Sequence, residues 1–215
     1  MVDILLPAQT AIEFREYFVE LGLSRPTEAA ISKLNTALKQ EGLEPLKHPT
    51  EVLVLNEKFQ PAPDTSGCLG FLFTLFYEQR TTKFHAVIWY SGNDLYPITQ
   101  GEVFITNSRI IVLSSEGAGS AVNVFVDLGT LQVVDYEAVN NTPMLTLSLE
   151  NEIVQFLITY PRPSPATMLA STGSSSTSEE VYQKIQAERT AEQLNMQGST
   201  TKELLYNYFV AMLQD

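Results

Sequence analysis

The chain has 215 residues, of which 44% are hydrophobic and 10% aromatic, so it carries enough apolar material for a core and is not globally disordered. Its formal net charge is −12, and residues 61–160 hold three Lys or Arg against ten Asp or Glu, which excludes this region as a binder of nucleic-acid phosphates. The single cysteine, Cys68, excludes an internal disulfide and a multi-cysteine zinc site.

Residues 1–45 predict two helices. The first begins at a capping-box pattern of Thr10 and Glu13 and ends at Gly22, with apolar residues at helical spacing between them. The second has Pro26 in its first turn and ends at Gly42. Because the connection is short, we expect an antiparallel helical hairpin that packs on the core.

From residue 51 the apolar period changes to two, which predicts strands and turns up to residue 160. Strands at this spacing are typical of an antiparallel barrel or sandwich. The segments 70–79 and 83–92, joined by a short turn, are apolar on both faces, so the outer face needs a cover. The helical hairpin is one candidate cover, and a partner protein is the other. The remaining predicted strands are 51–59, 101–106, 109–115, 122–128, 130–139, 144–149 and 153–158.

The last part of the chain changes character twice. Residues 161–178 are rich in Pro, Ser and Thr and predict a flexible loop, and residues 179–215 predict two helices, the second starting at a capping box of Thr200 and Glu203. This last helix has a strongly apolar stripe, which is either core or a docking surface for a partner. The stripe consists of Leu204, Leu205, Tyr208, Phe209, Met212 and Leu213.

The β-region resembles the pleckstrin-homology-like superfamily, particularly its GRAM-type and pICln-like members, over roughly residues 69–196. The features that match are the glycine entering GEVFIT, the turn TNSR, the strand IIVLSS, the acidic strand VDLGTLQVVDYE and a last hairpin ending in VQFLI. The resemblance implies a bent sandwich closed at one corner by a C-terminal helix, here the helix from about Glu179. The expected fold class is therefore α+β: a PH-like antiparallel barrel or sandwich with an N-terminal helical hairpin and two C-terminal helices.

The resemblance also implies a binding module. Lipid-phosphate binders of this superfamily carry several basic residues around the loop between their first strands, whereas this chain has only Arg80 and Lys83 there. Those two residues are the candidate lipid-phosphate contacts. Acidic relatives of the superfamily use the scaffold to contact proteins, which is the closer analogy for a chain with this charge.

Groups suited to catalysis or metal binding are few, and each has an ordinary structural interpretation. The groups considered are His48, His85, Cys68, Asp127, Asp135, Glu137 and the loop 116–120. We therefore expect no catalytic, cofactor or metal site.

Three functions stay open at this point. The leading hypothesis is a non-enzymatic, cytoplasmic protein-interaction module or assembly and adaptor factor, with a protein partner or self-association and without nucleic acid or membrane contacts. The second hypothesis is a module that binds phosphoinositides or anionic membranes through Arg80 and Lys83. The third is an enzyme with an unrecognised site.

Overall fold

The fold is described by a computed structural model over residues 6–60, 84–91, 95–115, 123–139, 142–159 and 201–213. These residues form three α-helices and nine β-strands. The helices are α1 (Ala8–Glu20), α2 (Glu28–Gln40) and α3 (residues 201–212). The strands are β1 (Leu53–Gln60), β2 (Phe84–Ser91), β3 (Leu95–Ile98), β4 (Gly101–Thr106), β5 (Arg109–Ser114), β6 (Val124–Asp127), β7 (Leu131–Val139), β8 (Thr142–Leu149) and β9 (Ile153–Thr159).

The two predicted N-terminal helices are present, but both begin differently from the prediction. Helix α1 starts after Pro7 and has no side-chain cap, so the predicted capping box is wrong: Thr10 lies inside the first turn. Helix α2 is capped by Thr27, whose hydroxyl accepts a hydrogen bond from the Ala30 amide at 3.2 Å, and Pro26 precedes this cap instead of occupying the first turn.

The ends of both helices agree with the prediction. Gly22 and Gly42 follow them with φ of 89° and 71°, which a residue without a Cβ adopts at little cost. At the end of α1 the Leu23 amide donates to the Phe18 carbonyl at 3.1 Å, and at the end of α2 the Leu43 amide donates to the Leu38 carbonyl at 2.8 Å. These bonds satisfy carbonyls that the helix itself leaves unpaired.

All strands belong to one sheet, in the order β6-β5-β4-β1-β2-β9-β8-β7, with β3 pairing to β2. Every pairing is antiparallel except that of β1 with β2, which is parallel over Phe59–Phe84 and Gln60–His85. No pairing among the described residues joins β6 to β7, so the sheet is not a closed barrel. The α+β fold class is confirmed, and the barrel alternative is replaced by an open, sandwich-like sheet.

Several predicted segments lie outside the described residues. They are the strand 70–79 and its turn, the loop 161–178 and the helix from residue 179. The strand β3 is an addition to the prediction, because its four residues include Pro97 and give little alternating pattern.

The inner face of the sheet carries the main core, which residues from both halves of the strand order share. Ile110 and Val112 of β5 belong to the same apolar cluster as Leu145 of β8 and Phe156 of β9. Helices α1 and α3 close this core, contributing Phe18 and Tyr208 among others to it. The two halves of the sheet therefore face each other across one core, as in a sandwich.

Helix α2 lies on the opposite, outer face of the sheet. Its Leu34 and Leu38 pack against Phe104 of β4 and Ile111 of β5, residues that alternate with the inner-facing ones. The Glu102 carboxylate of β4 is ion-paired with Lys33 of α2 on that face and accepts a hydrogen bond from the Asn56 amide group at 2.8 Å. The expected hairpin is thus divided: α1 and α2 both cover the sheet, but they join different apolar clusters.

Candidate functional site

The apolar stripe of α3, the candidate docking surface, is mostly part of the core. Leu205, Tyr208, Phe209 and Met212 are no more than 5% exposed, and Leu204 is half-buried against the same cluster. Leu213, at the end of the helix, is 41% exposed. The sequence left core and docking open, and the structure places these four side chains in the core, where a partner would reach them only if α3 detached.

Aromatic contacts hold α3 in this position. The Tyr208 ring lies edge-on to the rings of Phe14 and Phe18 in α1, with centroids 5.2 and 6.5 Å away. The Phe209 ring stacks on Phe156 of β9 at 6.2 Å. Edge-to-face and offset-stacked arrangements are the preferred ones for aromatic pairs, so α3 is fixed to both α1 and the sheet.

The other sequence-predicted candidates do not assemble into a site within the described residues. Arg80, Lys83, Cys68 and the loop 116–120 lie outside them, as do the side chains of His85 and Glu137, whereas His48 is exposed. Asp127 and Asp135 belong to β6 and β7, at opposite ends of the strand order. Across the described ranges, no group of three or more His, Cys, Asp or Glu side chains could hold a metal ion.

A buried polar cluster surrounds the turn between β4 and β5, a segment whose sequence predicts only a turn. Residues 106–109 are all 6% exposed or less. The Glu51 carboxylate accepts hydrogen bonds from the hydroxyls of Thr106 and Ser108 at 3.0 and 2.8 Å, and from Arg109. The signal that could have revealed the cluster is four polar residues placed between two strands that are otherwise apolar.

The cluster connects parts of the chain that are distant in sequence. The Asn107 side-chain amide donates to the carbonyls of Leu6 and Thr50 at 2.7 and 3.0 Å, and its oxygen accepts from the Val52 amide at 2.8 Å. The Tyr208 hydroxyl donates to the Thr106 carbonyl at 2.9 Å. This turn therefore fixes the N-terminal segment, the entry to β1 and helix α3 to one another.

Ionisation in this cluster follows from burial and from the Arg109 charge. Burial alone would raise the pKa of Glu51, but the hydrogen bonds and positive charge of Arg109 outweigh burial and hold it below its usual range. Burial, assisted by the negative charge of Glu51, raises the pKa of Tyr208 well above its usual value. Glu51 is thus a stable anion, and its oxygens are occupied by protein donors, which suits a structural ion pair.

Lys202 is a second buried charged group with a perturbed pKa. It is 2% exposed, and burial lowers its pKa to about 8. A lysine of lowered pKa can act as an amine nucleophile, but only where a substrate reaches it. At this exposure, in the first turn of the described part of α3, Lys202 favours no particular reaction.

The exposed part of the sheet is its outer face over β7, β8 and β9. Pairing registers place Val133, Ser148 and Ile153 in one row across these strands, and Asp135, Thr146 and Gln155 in the next. Val133 is 51% exposed and Ile153 is 40% exposed. The residues that follow them in the chain, Val134 and Val154, point to the inner face and pack in the core. We call this surface the outer sheet face; it consists of Val133, Asp135, Thr146, Ser148, Ile153 and Gln155.

The outer sheet face has no described cover, in contrast to the other half of the same face, which α2 covers. The face itself contains the exposed carboxylate of Asp135, and the stretch of chain that supplies it, between Arg109 and Arg162, has no Lys or Arg and six Asp or Glu. Exposed apolar side chains beside an exposed carboxylate are a pattern that a basic protein partner would complement.

An open groove of about 520 Å³ lies between α2 and the neighbouring strands. Its lining includes Ser32, Thr36, Gln40 and Asn123, together with Lys33, whose ammonium group is already paired with Glu102. The polar side chains that line the groove do not converge on one point, and its Lys33 charge is used in the ion pair with Glu102, so the groove does not resemble a ligand site.

None of the described helices is long and apolar enough to cross a membrane.

No protein-family model matches the chain, and no curated protein matches it. Among solved structures, the chain is similar to one described as the Vps36 N-terminal PH domain, with 16% identity and a TM-score of 0.31, over 71% of this chain and 88% of that one. This is a likeness over part of the chain. At this TM-score it carries no argument, and the fold class stated above rests on the strand pairing and core of the chain itself.

Proposed function

We propose that this chain is a non-enzymatic protein-interaction module that binds its partner through the outer sheet face. The observation that carries the proposal is the row of Val133, Ser148 and Ile153, whose two aliphatic side chains are exposed on a sheet whose other outer half is covered by α2. Sheet faces that are apolar in part are usually covered, and an exposed one is typical of an interaction site.

The chemistry of this face supports a protein partner more than a membrane. The exposed carboxylate of Asp135 in this face would repel anionic lipid headgroups, and the pair considered for lipid phosphate, Arg80 and Lys83, belongs to another part of the chain. Two half-exposed aliphatic side chains beside polar ones also resemble the mixed composition of transient protein interfaces.

The test uses the full chain, tagged and expressed at native level in the cells that encode it, followed by affinity purification and mass spectrometry. The variant is Val133→Thr with Ile153→Thr, which keeps β-branched residues in the strands but introduces hydroxyls that a partner would have to bury. We expect a stoichiometric protein with the wild type and at least roughly tenfold less of it with the variant.

The control is Tyr17→Thr with Leu43→Thr. These side chains are 52% and 39% exposed, matching the 51% and 40% of Val133 and Ile153, but they lie on α1 and after α2. The control should recover the partner as the wild type does. Equal recovery by all three proteins, or the absence of any stoichiometric partner, would refute the proposal.

A further inference from the structure

Helix α2 shows how this sheet holds a helix on its outer face. The strands β6, β5, β4 and β1 are neighbours in the sheet, and the apolar cluster beneath α2 takes a side chain from each of them. These side chains are Phe125, Ile111, Phe104 and Leu53. Leu34 and Leu38 of α2, four residues apart on one helix face, pack on this cluster, and beside it Lys33 is ion-paired with Glu102 of β4. The covered half of the face thus accepts an aliphatic stripe flanked by a lysine.

The other four strands, β2, β9, β8 and β7, carry a similar surface that has no described cover. Trp89 of β2 points outward, because Ile88 and Tyr90 on either side of it pack in the inner core. Its apolar neighbours on the same face are half-buried, and neither of the two apolar clusters formed by the described residues includes them. We call this surface the Trp89 patch; it consists of Val87, Trp89, Met144 and Leu157.

A row across the strands joins the Trp89 patch to the outer sheet face. Trp89 is in register with Gln155, Gln155 with Thr146, and Thr146 with Asp135. Trp89 and Asp135 are three strand spacings apart, about 14 Å, which a helix covers in about nine residues. The row therefore has an aromatic side chain at one end and an exposed carboxylate at the other, within the span of one short helix.

The described helices of a second copy do not offer this cover. Helices α1 and α3 bury their apolar residues in the inner core, and α2 covers its own half of the outer face. A helix from a different protein is the occupant that this packing favours. The exposed carboxylate of Asp135 calls for a basic residue on that helix, as Glu102 is met by Lys33 under α2.

We infer that the partner binds with an amphipathic helix laid across β2, β9, β8 and β7, as α2 lies across the other four strands. This inference rests on the proposed function and specifies the chemistry of the partner. Aliphatic residues four apart on the helix contact Trp89 and Ile153, and a Lys or Arg on its flank pairs with Asp135. Trp89 is the anchor, because tryptophans at the centre of an interface often dominate its binding energy.

The test uses the emission of Trp89, the single tryptophan of the chain, as a reporter of this surface in the full-length protein. The probe is a synthetic peptide of about fifteen residues, with leucines four apart, lysines on both sides of this stripe and alanine elsewhere. The first comparison peptide has glutamate in place of lysine. The second contains the same residues as the probe, reordered so that the leucines do not share a helix face. We expect only the lysine peptide to change the emission saturably, with weaker binding as salt increases.

Four variants test the two ends of the row. Asp135→Lys should weaken binding of the lysine peptide roughly tenfold, whereas Glu20→Lys, the same change in charge at an exposed position at the end of α1, should bind as the wild type does. Trp89→Ala, followed by anisotropy of a labelled lysine peptide, should weaken binding by roughly tenfold or more. Tyr17→Ala, which removes an exposed aromatic ring from α1, is its control and should not change binding.

Each other outcome would overturn this inference. Binding without a change in Trp89 emission would place the peptide elsewhere, an equal response to the glutamate peptide would remove the charge selection, and an equal response to the reordered peptide would remove the helical stripe. Emission that changes with protein concentration alone would identify a second copy as the occupant. Unchanged affinity of Asp135→Lys, an exposed position, decides the matter even if Trp89→Ala does not fold. The copurification test needs no peptide, so the proposed function can survive all of these results.

Discussion

Arg109 donates to both carboxylate oxygens of Glu51, from Nε to Oε1 at 2.8 Å and from Nη2 to Oε2 at 2.7 Å, and the two side chains are only 8% and 2% exposed. A third guanidinium donor, Nη1, reaches the Glu44 carbonyl at 2.9 Å. The pair therefore connects the start of β5 to the segment that leads into β1. Its burial distinguishes it from the Arg25–Glu16 pair, which is also two-pronged but lies at the surface.

Glu51→Gln should be strongly destabilising. The amide keeps the shape of the carboxylate but leaves the Arg109 guanidinium buried without a counter-charge, a loss of about 3–5 kcal/mol for pairs of this kind. Urea denaturation followed by circular dichroism measures it. Glu16→Gln, which removes the carboxylate paired with Arg25 at the surface, is the control and should leave the unfolding midpoint unchanged. An equal effect of the two substitutions would contradict the structural role of the Glu51–Arg109 pair.

The same pair predicts an acid limit of stability. Because the pKa of Glu51 is lower in the folded protein than its ordinary value of 4.5, the unfolded chain binds a proton more readily than the folded one as the pH falls. The contribution of Glu51 is complete above pH 4.5 and is lost as the pH falls through the lower, folded-state pKa. Unfolding free energies measured from pH 7 downward should therefore show wild type and Glu51→Gln converging below pH 4.5. A constant difference across this range would be inconsistent with the lowered pKa.

Gly101→Ala should destabilise the protein more than Gly22→Ala does. At Gly101 an added Cβ would overlap the backbone carbonyl oxygen of Leu113 on the paired strand β5, and backbone cannot rotate away, so we expect a cost of about 1–3 kcal/mol or more. At Gly22 nothing lies within 4 Å of an added Cβ, and only the left-handed φ of 89° opposes alanine, at about 1 kcal/mol. Chemical denaturation of both variants checks the order, and the reverse order would contradict the tight approach of β4 to β5.

Phe209→Ala and Leu213→Ala test whether α3 is core along its length. Phe209 is completely buried and stacks on Phe156, so its truncation should cost about 3–5 kcal/mol. Leu213 is 41% exposed at the end of the helix, so its truncation should lower the free energy of unfolding by no more than about 1 kcal/mol.

Because α3 is part of the core, deleting residues 199–215 should unfold the chain, seen as loss of the near-ultraviolet circular dichroism signal. A folded truncated protein that has lost only its partner would restore the docking interpretation of α3.

The sequence by itself determined the elements whose cause is local. Gly22 and Gly42 end their helices because the left-handed conformation is available to glycine, and the alternation from residue 101 to residue 158 defines β4–β9 because side chains on a strand alternate between faces. The acidic bias of this region, and the functions it excludes, are equally properties of composition.

Tertiary structure alone decided what depends on contacts between distant residues. Periodicity gives each helix an apolar stripe but not the face that the stripe covers, so only packing placed α1 on the inner face, α2 on the outer face and α3 in the core. The polar turn at residues 106–109 became a buried cluster because its partners, Leu6, Glu51 and Tyr208, are distant in the sequence. In the same way, the exposure of Val133 and Ile153 depends on which strands neighbour them and on how far α2 reaches, and no local pattern encodes either.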